Sequence, residues 1–173
     1  MNQEKWIKAL ISEQAVQANL VNRVTIDEKT ITIELSAAMA QNYERADCRQ
    51  PVTVKVHDSE VVTVQGLGIQ GKALRYQVNR TRVAYVNDAG EFVTFTLPIS
   101  GIRTDILVSN EVVEKVLYLN VDRNLSLQTT VEMLHDLYQV ASSDSALERW
   151  KQQAAEALPS VGQLIQQLHQ KKR

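Results

Sequence analysis

The sequence predicts an α+β protein, with a mainly antiparallel sheet or a small, partly closed β-barrel between an N-terminal helix and C-terminal helices. Apolar residues recur at three- and four-residue steps in residues 3–20 and again after residue 124, as on amphipathic helices. Between them, short apolar runs with a period of two alternate with turn-forming residues. We therefore divide the chain into a helix plus β-rich domain (1–121) and a C-terminal helical segment (122–173).

Composition restricts the classes of function. The chain has 173 residues, enough for a sizeable core, and its formal net charge of −1 argues against a general polyanion binder. Cys48 is the only cysteine, so an internal disulfide is excluded. The start has no secretory pattern, and no stretch approaches the ~20 apolar residues of a membrane helix. We expect a cytoplasmic protein that does not enter a membrane.

The first part of the chain predicts a helix, a hairpin and a second, short helix. The stripe on the first helix, residues 3–20, consists of Trp6, Ile7, Leu10, Ile11, Ala15 and Ala18. Residues 24–26 and 31–35 alternate around a polar tip, which predicts a β-hairpin with one buried face. Ser36 is placed to cap a short helix over residues 37–46.

The middle of the chain predicts a succession of short strands. Their predicted ranges are 52–56, 61–65, 73–78, 83–86, 92–97, 106–108 and 116–121. Polar residues at 57–59, 79–81 and 87–90 have the composition of turns. This spacing is typical of small barrels and sandwiches.

The C-terminal part predicts two helices. Leu127, Leu134 and Tyr138 mark the first, and a Ser-rich linker precedes a long helix that opens at Ser145. The long helix carries a seven-residue apolar repeat, a seam suited to a partner helix. The seam consists of Leu147, Trp150, Ala154, Ala157, Val161, Leu164 and Leu168. It would pack either on its own sheet or on another chain.

Gly66, Gly68 and Gly71 have the G-x-G-x-x-G spacing of dinucleotide-binding loops and follow a predicted strand. A dinucleotide site requires a helix directly after the glycines. Apolar and polar residues instead alternate over residues 73–79, which is the period of a strand. We therefore favour a loop or bulge where the sheet bends, and we expect no cofactor. A nucleotide-binding domain using the 66–71 glycine loop is the third hypothesis for function.

The predicted hairpin 72–85 carries basic and aromatic residues. If Tyr76 and Tyr85 lie on neighbouring strands across a turn at 79–81, they form an aromatic surface with a basic rim. Oligonucleotide-binding barrels hold single strands in this way. The candidate nucleic-acid patch consists of Lys72, Arg75, Tyr76, Arg80, Arg82 and Tyr85. The alternative is a solvated hairpin whose charges protect an edge strand.

The sequence offers little support for catalysis. His57, His135 and His169 share no metal-ligand spacing, and Cys48 has no second thiol nearby. We assign no catalytic residue and no metal site. By elimination, the sequence favours a non-enzymatic interaction protein, an adaptor or assembly component that binds a protein partner or forms a homo-oligomer. A single-stranded nucleic-acid-binding barrel is the alternative.

Overall fold

A computed structural model describes residues 21–156, which form a seven-stranded sheet followed by helices. The strands are β1 (Val21–Ile26), β2 (Thr30–Ser36), β3 (Lys55–Ile69), β4 (Lys72–Val86), β5 (Phe92–Thr96), β6 (Ile102–Arg103) and β7 (Val108–Ser109). The helices are α1 (Asn110–Val116), which continues as a π-helix (Leu117–Asp122), then α2 (Leu127–Tyr138) and α3 (Asp144–Glu156). The predicted N-terminal helix over residues 3–20 lies outside the described residues.

The sheet has the order β1-β2-β4-β3-β7-β6, and β5 pairs with β4. β2 pairs parallel with β4 and β7 parallel with β3, while the other pairs are antiparallel. The prediction of a mainly antiparallel sheet or partly closed barrel is therefore wrong, because the sheet formed by residues 21–156 is mixed and not closed. The cause is that β4, rather than β3, lies beside β2. There Ile33 is level with Tyr76, and Leu35 with Val78, so that apolar faces match.

The long β3–β4 hairpin is the framework of the fold. Each strand has 15 residues, so the turns predicted at 57–59 and 79–81 are wrong: both segments lie inside strands. The turn lies at Gln70 and Gly71, whose φ angles of 52° and 74° are both positive. A two-residue turn of this kind matches the twist of the flanking strands.

Two apolar cores lie on opposite faces of this hairpin. The first, the sheet core, consists of Ile31, Ile33, Leu35, Val64, Leu74, Tyr76, Val78, Ile99 and Ile102. The second, the loop core, consists of Val54, Val83, Tyr85 and Leu97. Even-numbered residues of β4 enter the sheet core and odd-numbered residues enter the loop core. Because alternate residues of a strand point to opposite faces, the buried face of β4 changes between Val78 and Val83.

The helices and β7 enclose a third core, the helical core. It consists of Ile106, Val108, Val112, Val113, Val116, Leu119, Leu134, Val140, Leu147 and Trp150. These residues come from both predicted domains, 1–121 and 122–173. The predicted helix over 127–138 is confirmed, and the Ser126 hydroxyl caps it by accepting the Thr129 N–H at 3.1 Å.

Two other predicted elements are wrong. Residues 116–121, predicted as a strand, are helical, because burial of Val116 and Leu119 in the helical core outweighs the β-propensity of the segment. Residues 37–46, predicted as a helix, run irregularly. Tyr43 instead forms an isolated bridge to Val52, and its ring lies edge-on to Phe95 at a centroid distance of 5.5 Å.

Candidate interaction edge of the long hairpin

The N-terminal half of β3 forms an edge of the sheet. β7 reaches β3 only at Gln65, and within residues 21–156 no strand pairs with the outer side of β3 before that position. We call residues 55–63 the outer edge. Every residue in it except Val62 is exposed, and the exposed fraction of Val61 is 70%. An exposed β-edge presents main-chain groups that an added strand can bind.

The direction of these main-chain groups follows from two hydrogen bonds. The Gln65 N–H donates to the Leu107 carbonyl at 2.9 Å, on the side of β3 away from β4. The Thr81 carbonyl, level with Ser59, accepts the Leu97 N–H at 2.9 Å on the side of β4 away from β3. Pairing is regular from Asp58 to Gly66, and main-chain direction alternates along a strand. The N–H and C=O groups of Ser59, Val61 and Thr63 therefore point outward from the edge.

A charged surface adjoins the outer edge. Asp58 is level with Arg82 and Glu60 with Arg80, so the acids lie on the edge strand and the arginines one strand further in. Glu60 and Arg80 form an ion pair. Arg82 donates from Nε and Nη2 to the Thr94 hydroxyl at 3.1 and 2.8 Å. Together with Phe95 and Thr96, these side chains line an open depression of about 360 Å³.

The same face ends in an apolar patch. Val86 and Phe92 are a cross-strand pair of β4 and β5, with exposed fractions of 60% and 66%. The His57 ring lies edge-on to Phe92 at a centroid distance of 5.7 Å. Val86 shares its face with Arg82, because the two are an even number of residues apart on one strand. The surface therefore offers charged contacts beside the edge and apolar contacts at its end.

A polar cluster fastens the 37–54 segment to the opposite face. The Tyr85 hydroxyl lies 2.7 and 2.8 Å from the two Asp47 carboxylate oxygens and accepts a hydrogen bond from Arg45 Nε at 3.2 Å. The Arg45 guanidinium lies 4.4 Å from the Phe95 ring centroid. The hydrogen bond from Tyr85 lowers the pKa of Asp47. These contacts hold residues 37–54 against the face of the sheet that carries the loop core.

The structure does not bring the six residues of the candidate nucleic-acid patch together. Tyr76 and Tyr85 lie on the same strand and are buried in different cores, so neither ring offers a surface for base stacking. Burial also raises the pKa of the Tyr76 hydroxyl. Lys72 Nζ donates to the Asp27 and Glu28 carbonyls. Arg75, at an odd position of β4, lies on the opposite face from Arg80 and Arg82.

The glycine loop has a structural explanation. Gly66 and Gly68 belong to β3 at a register shift, and Gly71 lies in the hairpin turn. The segment that follows is β4 rather than the helix that a dinucleotide site requires. The register shift supports the interpretation of Gly66 and Gly68 as part of a bulge.

The first positions of the C-terminal seam pack within the chain. Leu147 and Trp150 have exposed fractions of 0% and 3% in the helical core, and Ala154 packs against it. The remaining seam residues, Ala157, Val161, Leu164 and Leu168, lie outside the described residues. A partner contact through those four positions stays a prediction.

In the described part of the chain, no group of three or more His, Cys, Asp or Glu side chains is arranged to hold a metal ion. Among residues 21–156, no helix has the length and apolar character needed to cross a membrane. Burial raises the pKa of the Cys48 thiol, which disfavours the reactive thiolate. Comparison with protein-family models, curated proteins and solved structures found no match to this chain.

The residues of the outer edge are not identified by the sequence pattern. Asp58 and Ser59 fall in a predicted turn because Asp and Ser are common turn formers. The β-branched run Val61-Val62-Thr63 predicts a strand, but strand order decides whether that strand is central or at an edge.

Proposed function

We propose that this protein is a non-catalytic interaction protein, an adaptor or assembly component, that binds an extended segment of a partner protein along the outer edge of β3. The observation that carries this proposal is the row of outward main-chain groups at Ser59, Val61 and Thr63. Addition of a strand to such an edge is a common mode of peptide recognition.

The fold already uses this edge to bind a strand. β7 pairs with β3 at Gln65, one alternation beyond Thr63, and Leu107 accepts the outward Gln65 N–H. A partner strand would continue this pairing towards the N-terminus of β3. The register shift between Val56 and Asp58 ends the regular part of the edge, so the fitting segment covers about six residues, from Asp58 to Thr63.

The main-chain contacts set the strength of binding. Three N–H and three C=O groups allow six hydrogen bonds, each contributing about 0.5–1.5 kcal/mol net. Loss of translational and rotational freedom offsets at least about 4 kcal/mol of this sum. The edge alone therefore supports weak, reversible binding. Contacts to Val86 and Phe92, or to the seam positions after Glu156 that we propose as a second partner contact, would strengthen it.

The test uses isotope-labelled protein and a capped hexapeptide of alternating threonine and valine. We expect the peptide to slow amide exchange and shift the NMR signals at Ser59, Val61 and Thr63. The amides of Glu60 and Val62 should change much less, since they already bond to β4. Uniform or absent changes would contradict the proposal.

A matched pair of variants checks the main-chain mechanism. Val61→Pro removes one outward N–H, and proline is tolerated at edge positions where that hydrogen faces solvent. Val61→Thr keeps both the N–H and a β-branched side chain. We expect the proline variant to fold and to lose peptide binding, while the threonine variant binds like the unaltered protein. Binding that survives Val61→Pro would place the peptide elsewhere.

A further inference from the structure

We infer that the segment bound by the outer edge is basic, with lysine or arginine opposite Asp58 and Glu60 and β-branched residues opposite Ser59, Val61 and Thr63. This inference rests on the proposed function and specifies its partner. The occupant is therefore a basic segment of a different protein.

The order of charges across the strands carries the inference. Asp58 and Glu60 are on the edge strand with exposed side-chain fractions of 57% and 56%. Side chains of an added strand would lie about 4.5–5.5 Å from them, Cβ to Cβ. Arg80 and Arg82 are one strand further in, so they lie about 10 Å from the added strand. The added strand therefore meets acidic side chains directly, and a basic strand completes a ladder of alternating charge.

The carboxylates of Asp58 and Glu60 can accept further hydrogen bonds beside those to their present neighbours. Arg82 directs its Nε and Nη2 hydrogens to Thr94, and within residues 21–156 no ion pair joins it to Asp58. The His57 Nε2 lies 4.0 Å from the Asp58 carboxylate. Glu60 pairs with Arg80 through one oxygen, Oε1. A carboxylate accepts several hydrogen bonds, so a lysine or arginine on the outer side finds acceptors at both positions.

The other face of the edge selects uncharged residues. Ser59, Val61 and Thr63 alternate with the acids, and Val61 is the most exposed of the large apolar residues in the described chain. Cross-strand pairs of β-branched residues stabilise a sheet. A fitting partner therefore alternates basic and β-branched residues.

The same acids oppose self-association along this edge. Two copies would pair antiparallel about a two-fold axis. An axis at Asp58, Ser59 or Glu60 places an acid of one copy opposite an acid of the other. Like charges directly opposite each other destabilise a sheet, and charged edges are a known protection against edge-to-edge association. In these three registers the acids oppose self-pairing, whereas a basic partner strand meets no such repulsion.

The test compares two capped, fluorescently labelled peptides, Thr-Val-Ile-Lys-Thr-Lys and Thr-Val-Ile-Glu-Thr-Glu, each also made in the reverse order because the strand direction is not fixed. In antiparallel pairing, the lysines of the first peptide lie opposite Glu60 and Asp58. By fluorescence anisotropy at low salt, we expect the lysine peptide to bind about tenfold more tightly than the glutamate peptide. The ratio should fall in 0.5 M salt, where exposed charges are screened.

Two controls separate the edge from general charge attraction. A peptide of the same composition with adjacent lysines places them on opposite faces, and it should bind several-fold more weakly. The Asp58→Asn, Glu60→Gln double variant should bring the lysine-to-glutamate ratio close to one. Analytical ultracentrifugation of the unaltered protein should show no dimer that Val61→Pro abolishes.

The outcomes distinguish this inference from the proposed function. Equal binding of the two peptides, or tighter binding of the glutamate peptide, would overturn the inference while the strand-binding function stands. Failure of all peptides, including the neutral threonine–valine peptide, would overturn both. A dimer that is lost in Val61→Pro would show that a second copy occupies the edge.

Discussion

Replacement of Gly68 by alanine should destabilise this protein more than the same substitution at Gly71. A Cβ at position 68 would lie 2.3 Å from the Tyr138 carbonyl oxygen and 2.7 Å from the Lys72 carbonyl oxygen. Both are main-chain atoms, one at the end of α2 and the other on β4. Neither can rotate away as a flexible side chain would.

The size of the effect follows from what must move. The distance to Tyr138 is about 1 Å short of ordinary van der Waals contact, so the end of α2 must lift from the hairpin. The Gln65 side chain ties the same segment down, because its Nε2 donates to the Ala141 carbonyl at 3.0 Å and its Oε1 accepts the Ala141 N–H at 2.9 Å. Overpacking typically costs about 1–3 kcal/mol, and each weakened hydrogen bond adds about 0.5–1.5 kcal/mol. We expect a loss of about 3 kcal/mol and a Tm lower by about 6–12 °C.

Urea unfolding followed by far-ultraviolet circular dichroism measures this loss. Gly71→Ala is the matched control, because a Cβ at Gly71 meets nothing within 4 Å and the cost comes from its positive φ of 74° alone. That strain is worth about 1–2 kcal/mol. If Gly68→Ala costs no more than Gly71→Ala, the end of α2 does not pack on the backbone of Gly68.

Further substitutions test the helical core and the 37–54 segment. Trp150→Ala should cost about 3–5 kcal/mol in urea unfolding, because Trp150 is 3% exposed in the helical core. Leu137→Ala, at a residue 58% exposed, should stay within about 0.5 kcal/mol, and equal losses would contradict the assignment. Deletion after Ser143 removes Leu147 and Trp150 and should give aggregated or unfolded protein in size-exclusion chromatography, not a folded monomer. The pKa of Asp47 is lower in the folded state, so its contribution is present above pH ~4 and lost as pH falls through the folded pKa. Asp47→Asn should therefore reduce the dependence of unfolding free energy on pH below about 4, and an unchanged dependence would refute this role.

Local patterns predicted those parts of the fold that depend on neighbouring residues. The hairpin of β1 and β2 follows from strict alternation around a polar tip, and α2 follows from its helical period. The turn at 87–90 was also correct, with a positive φ of 81° at Gly90. In each case the residues of the element itself determine its secondary structure, so contacts with the remaining chain are not needed to predict it.

The two wrong turns inside the long hairpin have a common physical cause. Residues 57–59 and 79–81 are polar because they lie where burial passes from the sheet core on one face to the loop core on the other. Near this crossover neither face of the strand is fully buried, so the apolar alternation stops. Asp, Asn and Ser are common turn formers, so their presence in two solvated stretches of strand predicts turns that the fold does not contain.

Strand order was not accessible from the sequence, and the candidate site depends on it. Alternation of apolar residues is the same whether a strand pairs parallel or antiparallel, so the adjacency of β2 and β4 left no local signal. The outer edge exists because β4 lies between β2 and β3 and because β7 reaches β3 only at Gln65. The sequence predicts Arg80 and Arg82 as part of a basic patch, but their position one strand inside Asp58 and Glu60 appears only in the folded sheet.

The acids on the edge strand can both protect it from pairing with copies of itself and favour a basic partner strand. Charges and a bulge on an edge normally protect a protein from pairing with copies of itself, and Asp58, Glu60 and the register shift at His57 fit that role. Protection by charge is selective, however, because it acts only against strands of like charge, while the outward N–H and C=O groups of Ser59, Val61 and Thr63 stay accessible. A basic strand meets the same main-chain groups without the repulsion. The side chains that oppose self-association thus also specify the partner, and replacing Asp58 and Glu60 by their amides should weaken both effects together.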